Sequence, residues 1–231
     1  MIIVITGTSR GIGLSLVERY IKQGHLVIGC SRSESNYSNE NYHHFQIDLS
    51  KEDEINNFAH IVRKQFGSVD VLINNAGIAS MNHFLLTPLE TVHKVMTTNF
   101  YAPFAMTRAF VGLLKKSDNP RIINFSTVAV PLNLDGELAY VASKSAIEAM
   151  TKILAKELAP FKITVNAIGP TPVKTFLTSK VPVEKLNSLL EKQAIKRFGE
   201  FDDIGNVIDF YILKTSNFIT GQIIYLGGVA K

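Results

Sequence analysis

Short apolar and β-branched runs recur along the chain at residues 2–6, 26–30, 44–47, 69–73, 121–125, 163–168 and 222–226. Most are continuous Ile/Val segments rather than alternations, as expected of strands buried on both faces. Longer stretches with apolar residues at helical spacing lie between them, at residues 12–23, 52–66, 89–114, 138–161 and 201–213. Strand and helix in regular alternation predict right-handed crossovers. The expected architecture is α/β, a doubly wound parallel sheet with helices on both faces. No internal repeat or low-complexity linker interrupts the pattern, so one domain is expected over residues 1–231. Residues 171–197, rich in Pro, Thr, Ser and Lys, read as a substrate-loop insertion.

Composition narrows the function classes. With 231 residues, 46% of them hydrophobic and 19% charged, the chain has an ordinary globular make-up and can bury a large core. A net charge of +4 without a basic block argues against a nucleic-acid partner. Cys30, the single cysteine, allows neither an internal disulfide nor a cysteine-cluster metal site. His83 and His93 lack metal-ligand spacing, and no metal is expected. No apolar run approaches the roughly 18 residues a membrane span needs, so no membrane partner is expected. The opening Ile2-Ile3-Val4-Ile5 lacks the basic flank of a signal peptide, which makes a cytoplasmic location the expectation.

Open parallel sheets bind ligands at the carboxyl ends of their strands. The first run ends in Thr6-Gly7-Thr8-Ser9-Arg10-Gly11-Ile12-Gly13. Glycines between a strand and a helix let backbone approach a pyrophosphate at the helix N-terminus. The spacing is G-x-x-x-G-x-G rather than the dinucleotide fingerprint, and a plain Gly-rich turn is the alternative. The second run ends in Ser31-Arg32, where an NAD site would carry an acidic residue. A hydroxyl and a guanidinium, with Arg10 from the glycine loop, suit a 2′-phosphate instead and favour NADP(H). Two solvated arginines are the alternative. Asp48, followed by Leu49, either accepts from an adenine amino group or caps the next helix. Asn74-Asn75-Ala76-Gly77 offers small residues and amides where a cofactor would lie, or simply turns the chain. Tyr140 and Lys144 share one helix face at i, i+4. A phenol ordinarily titrates near about 10, and a nearby ammonium lowers that value.

Taken together, Thr6-Gly7-x-x-x-Gly11-Ile12-Gly13, Asn74-Asn75-Ala76-Gly77, Asn99, Ser126-Thr127, Tyr140-x-x-x-Lys144 and the closing Ile219-Thr220-Gly221-Gln222 resemble the short-chain dehydrogenases/reductases in order and spacing. Within that family the chain is similar to the 3-oxoacyl-acyl-carrier-protein reductase-like members. The resemblance implies a seven-stranded Rossmann sheet and an Asn-Ser-Tyr-Lys tetrad. Tyr140 would be the general acid or base. Lys144 would lower its pKa and bind the nicotinamide ribose, and Asn99 would hold a proton-passing water. Thr127 lies 13 positions before Tyr140, where the family usually has its serine. A one-residue difference in the following loop would bring Ser126 there instead. After the sixth run, Pro170 is in place, Thr171 replaces a family glycine, and Val173 and Thr175 stand where the family holds the nicotinamide carboxamide.

The function so implied is NADPH-dependent hydride transfer to a small-molecule ketone, a 3-oxoacyl thioester among the candidates, by a homotetramer or homodimer. Oxidation of an alcohol, sugar or steroid is the alternative within the enzyme class. A dinucleotide-binding regulator without turnover is the alternative outside it. Phe176, Leu177, Val181, Leu186, Leu189 and Leu190 read as the apolar face of a lid or as packed core, and Lys180, Lys185, Lys192 and Lys196 as a docking or solvated face.

Overall fold

The computed structural model describes residues 1–175 and 178–229, apart from the Lys180 side chain; Phe176 and Leu177, named above as lid positions, and the Lys180 side chain, named above in a docking or solvated face, lie outside the described residues. Seven strands form one sheet: β1 Ile2–Thr6, β2 Leu26–Ser31, β3 Tyr42–Gln46, β4 Val71–Asn74, β5 Arg121–Phe125, β6 Thr164–Gly169 and β7 Ile223–Tyr225. Their order is β3-β2-β1-β4-β5-β6-β7, and every neighbouring pair is parallel. The chain therefore leaves β1 toward one edge and returns to build the other. This reversal opens a crevice at the carboxyl ends of β1 and β4.

The pleat sorts the apolar residues into two cores. Ile3, Ile5, Val71, Ile73 and Ile123 face α1 (Gly11–Lys22) and one long late helix, α8 (Phe201–Ile212), with Leu16, Val17, Tyr20, Ile204 and Ile208. Val4, Ile28, Leu72, Ile122 and Val165 face the other layer, with Phe58 and Val62 of α2 (Glu52–Phe66) and Met106 and Phe110 of α4 (Ala102–Leu114). Also on the chain are α3 (Leu89–Met96), the one-turn α5 (Ala129–Leu132), α6 (Leu138–Glu157) and α7 (Val183–Glu191). Burial on both faces explains the uninterrupted Ile/Val runs.

Differences from the sequence reading have local causes. The stretch 89–114 is not one regular helix: a π-turn at Thr97–Tyr101 joins α3 to α4. Apolar spacing continues across it and so hides it. The stretch 138–161 ends as α6 at Glu157, followed by a 3₁₀ turn, with Lys162 in the left-handed region. β3 starts two residues earlier than the apolar run, because Tyr42 and His43 pair with β2 despite their polar groups.

A buried amide ladder crosses the middle of the sheet. Asn74 Nδ2 donates to Asn124 Oδ1 at 2.9 Å and to Thr107 Oγ1 at 3.2 Å. Asn124 Nδ2 donates to Thr151 Oγ1 at 2.9 Å, and Thr151 Oγ1 donates to the Ile147 carbonyl at 2.8 Å. It ties β4 and β5 to α4 and α6 at depths where an unpaired amide is costly.

Phe110 is fully buried and its ring lies 5.4 Å from that of Phe58. Phe110→Ala is expected to lower unfolding free energy by about 3–5 kcal/mol, read from the urea midpoint at unchanged slope.

Candidate active site

The glycine loop is set by close approach. A Cβ on Gly13 would meet the Gly7 carbonyl oxygen at 2.1 Å, so only glycine lets the α1 N-terminus pack onto the end of β1. Gly7 and Gly11 hold φ of 76° and 59°, a region that L side chains rarely adopt. Gly7 N and Thr8 N donate to the Cys30 carbonyl, and Asn75 Nδ2 donates to the Thr6 carbonyl at 2.8 Å and the Gly7 carbonyl at 3.3 Å. Ala76 N donates to Thr6 Oγ1 at 2.9 Å. The ends of β1, β2 and β4 are thus one fixed unit. Cys30 behind it is fully buried, and burial pushes its thiol up to about 12. Ser9, Arg10 and Gly11 form the rim of the loop, whereas the Ile12 side chain packs into the core.

This loop suits a dinucleotide phosphate. Twelve residues of α1 point their N-terminus at it, and the first turn carries no acidic side chain to compete with an anion. Thr175 lies over the loop, its Cγ2 3.7 Å from where a Gly11 Cβ would stand. Pro170 and Val173 follow β6 on the same side; the Pro170 carbonyl accepts from Val128 N, and the Val173 carbonyl from Thr178 Oγ1 at 2.7 Å. A carbonyl has two lone pairs, so Val173 keeps room for a second donor. Thr171, in place of the family glycine, is buried without strain because Gly199 faces it: a Cβ there would come within 2.8 Å of Thr171 Cγ2.

At the β2 end, Ser31 is buried and Arg32 exposed. Ser31 Oγ donates to the Ser33 carbonyl at 2.7 Å. Asp48 serves a local turn: its Oδ1 accepts from Ser50 N at 3.0 Å, and this backbone bond first, then the Arg32 and Lys51 charges, holds its carboxyl below the usual range. The N-cap of α2 is Lys51, not Asp48. Leu49 packs against the α2/α4 core.

The second half of the site sits above β4 and β5. Tyr140 and Lys144 rise from α6, and Asn99 from the π-turn. Asn99 is fully buried; its Nδ2 donates to the Ile78 carbonyl at 2.8 Å and Ser143 Oγ at 3.0 Å, and its Oδ1 accepts from Ile78 N at 2.9 Å. The Asn99 amide thereby clamps the segment following Gly77 onto α6. Lys144 Nζ donates to the Phe125 carbonyl at 2.7 Å and lies 3.5 Å from where a Gly77 Cβ would be. Burial pulls its ammonium down to about 8.

Burial also pushes the Tyr140 phenol up to about 12, with the Thr127 hydroxyl bond opposing this and the Glu137 charge adding to it. The Lys144 ammonium, which donates to the Phe125 carbonyl, is not among the groups that shift the phenol. Ser126 and Thr127 diverge. Thr127 is the hydroxyl beside the phenol, while Ser126 Oγ donates to buried Glu148 at 2.6 Å. Glu148 Oε1 also accepts from Tyr225 Oη at 2.5 Å. Sequence reasoning missed Glu148, Ser143 and Thr8. A buried acid one helical turn beyond Lys144 was the available signal for the first.

Lys174, Thr175, Thr178, Ser179, Leu186 and Phe198 line an adjoining cleft of about 610 Å³. Leu186, Leu189 and Leu190 of α7 are half-buried, so this helix rests one apolar edge on the protein. Among the described residues, no three His, Cys, Asp or Glu side chains gather as metal ligands would, and no helix is long and apolar enough to cross a membrane.

Residues 1–185 match the family model for short chain dehydrogenase. The 3-oxoacyl-[acyl-carrier-protein] reductase of Buchnera aphidicola subsp. Baizongia pistaciae is 32% identical, over 98% of this chain and 96% of its own. The Escherichia coli K12 protein of that name is 29% identical, over 98% and 96%. Two solved structures superpose with a TM-score of 0.90 at 25% identity: Thermoplasma acidophilum aldohexose dehydrogenase in ligand-free form, covering 99% of this chain and 93% of its own, and Brucella melitensis 3-ketoacyl-(acyl-carrier-protein) reductase complexed with NADH, covering 97% and 96%.

The depressed Lys144 predicts a pH effect of definite sign. Between about pH 8 and 10 the unfolded chain holds a proton that folded Lys144 has released, so folding gains stability as pH rises. Wild-type stability is expected to rise relative to Lys144→Met by on the order of 2–3 kcal/mol across that window. Parallel denaturation series at pH 7.5 and 10 check this; a difference that does not change with pH contradicts it.

Proposed function

The chain belongs to the short-chain dehydrogenase family, and from that premise we propose an NADPH-dependent carbonyl reductase with Tyr140 as acid and base. The observation that carries this reading is Tyr140 beside Thr127, with Lys144 and Asn99 bracketing Gly77, at the strand-end crevice behind the glycine loop. When bound, the nicotinamide supplies the hydride. The residues of the chain do the rest. Thr127 donates a hydrogen bond to the substrate carbonyl oxygen, where negative charge develops. Tyr140 delivers the proton to that oxygen in reduction and removes it in oxidation. A lysine titrating near 8 exchanges protons close to neutral pH, which an ordinary ammonium does not. Lys144 thus serves as the proton reservoir behind the phenol and as a ribose ligand. Gly7, Ser9, Arg10, Gly11, Ile12 and Gly13 cradle the pyrophosphate. Asp48, Leu49, Asn75, Ala76 and Gly77 flank the adenosine and ribose, and Pro170, Val173 and Thr175 the nicotinamide. Ser31, Arg32 and Arg10 supply the 2′-phosphate site.

The substrate class is a 3-oxoacyl thioester or another small ketone, supported by the names of the relatives. A second reading, oxidation of a sugar or other alcohol, is supported by the equally close fold match to an aldohexose dehydrogenase. The protein acts as one domain in the cytoplasm, with 171–197 as its substrate loop. It assembles as a homodimer or homotetramer, for which the exposed Tyr101, Phe104, Leu138 and Ile153 on and beside α4 and α6 provide an apolar surface.

Tyr140→Phe is expected to lower kcat by roughly 10²–10⁴-fold. Thr127→Val should cost far more activity than Ser126→Ala, measured with NADPH and a panel of 3-oxo esters. Wild-type rates in Tyr140→Phe would refute the mechanism. Fluorescence titration should show NADPH binding more tightly than NADH, with Arg32→Asp reversing the order. Equal or tighter NADH binding would shift the reading to NAD-linked oxidation.

A further inference from the structure

Between the glycine loop and the β2 end lies a histidine with no role in the scheme above. His44, on β3, is half-buried and pairs in register with Gly29. Its Nε2 stands 3.0 Å from the Ser33 carbonyl and 3.3 Å from Ser31 Oγ. A carbonyl only accepts, so the ring proton belongs on Nε2. Nδ1 is then left as an acceptor, 2.9 Å from Tyr42 Oη and 3.3 Å from Thr8 Oγ1; with the Tyr42 proton donated to Thr8 Oγ1, the Thr8 hydroxyl is the donor to Nδ1. Tyr42 Oη and Thr8 Oγ1 are themselves 3.0 Å apart, and both residues are buried.

The ring therefore joins two loops. On one side, Thr8 precedes Ser9 and Arg10 in the glycine loop. On the other, Ser31 and Ser33 flank Arg32, whose own carbonyl accepts from Gln46 Nε2 at 2.8 Å. The close fit is enforced from below: a Cβ on Gly29 would come within 2.5 Å of both Thr8 Oγ1 and Tyr42 Oη. The imidazole, together with the Gly7 N and Thr8 N bonds to the Cys30 carbonyl, sets the separation of the two arginine-bearing segments.

We propose that His44 is the positioning residue for recognition of the cofactor's 2′-phosphate, locking the Ser31–Arg32–Ser33 turn against the Thr8–Arg10 loop so that a phosphomonoester on the adenosine ribose meets a pre-set pair of guanidiniums. This rests on the NADPH reading of Arg10 and Arg32. The His44 ring itself need not touch the phosphate. Its contribution is preorganisation, which reduces the ordering cost of long arginine side chains and their turn. NADH has no phosphate at that position, so its affinity gains little from the lock.

The test is fluorescence titration of NADPH and NADH with full-length wild type, His44→Phe, His44→Gln and Thr8→Val. His44→Phe keeps a ring against Tyr42 and removes every hydrogen bond; His44→Gln keeps a donor for the Ser33 carbonyl. His44→Phe is expected to weaken NADPH by about tenfold, as for a lost bond supporting a charged group, with NADH within twofold of wild type. His44→Gln should recover most of the preference. Thr8→Val, which breaks the link from the other loop, should mimic His44→Phe and covers the case in which that variant does not fold. A wild-type preference for NADPH that persists in both His44→Phe and Thr8→Val overturns the role of His44 and leaves the arginines standing. Equal loss of NADPH and NADH also overturns it, as a merely structural effect would do that. Absence of NADPH preference in wild type overturns both readings, and only then is Arg32→Asp silent.

Discussion

The structure depends on one steric constraint, the contact of Gly13 with the Gly7 carbonyl. With a Cβ at 2.1 Å from that oxygen, α1 would have to lift off the end of β1. Its N-terminal amides would then no longer converge on the crevice, and the crevice itself would change shape. Asn75 could no longer reach both the Thr6 and Gly7 carbonyls, so the end of β4 would lose one of its ties to the end of β1. Burial of β1, β2 and β4 on both faces provides the apolar free energy, but it does not choose where the strands end. The glycine loop and the Asn75 amide make that choice, and they place the backbone donors where an anion is best received.

The catalytic half is held by a different device. α6 carries Tyr140 and Lys144, and its depth is set by Thr151 on the Asn124 amide and by Glu148 between Ser126 and Tyr225. These are polar contacts inside an apolar layer. Buried polar groups specify register more sharply than apolar packing does, because a slip leaves them unpaired. A π-turn then delivers Asn99 against Ser143, clamping the Gly77 segment to the same helix. The helix that carries the tyrosine is thus positioned from three directions, by Asn124, Glu148 and Asn99.

Much of this was legible in the sequence, for reasons that also mark where it stopped. Strands buried on both faces must be continuous apolar runs, so β1, β2 and β5 were plain, and the strand-end rule then located the chemistry. β3 was blurred at its start because the polar groups of Tyr42 and His43 interrupt the apolar pattern, although both residues pair with β2. That same polarity hid the link from Thr8 to Ser33, which only register can reveal. The π-turn was invisible because the apolar stripe runs through it. Thr127 stood at the right count from Tyr140, yet no count could say that Ser126 is turned away: its partner, Glu148, is 22 residues distant. Thr171 stands where the family has a glycine, and Gly199 faces it; such exchanges of bulk across a contact are a property of pairs, and a linear reading sees one member at a time.

The electrostatics of the Tyr140–Lys144 pair are set first by burial. One dry environment pushes the phenol up to about 12 and pulls the ammonium down to about 8. Both shifts favour the neutral forms. A neutral phenol flanked by a hydroxyl is a good proton donor to an oxygen that is gaining charge, whereas a preformed phenolate would repel it. On the proposed mechanism Tyr140 gives its proton to the carbonyl oxygen in reduction, and Lys144 can return one to the phenolate left behind. Oxidation retraces the same steps, so the cost of a buried phenolate is common to both directions, and the surroundings of the pair set the rate without choosing the direction.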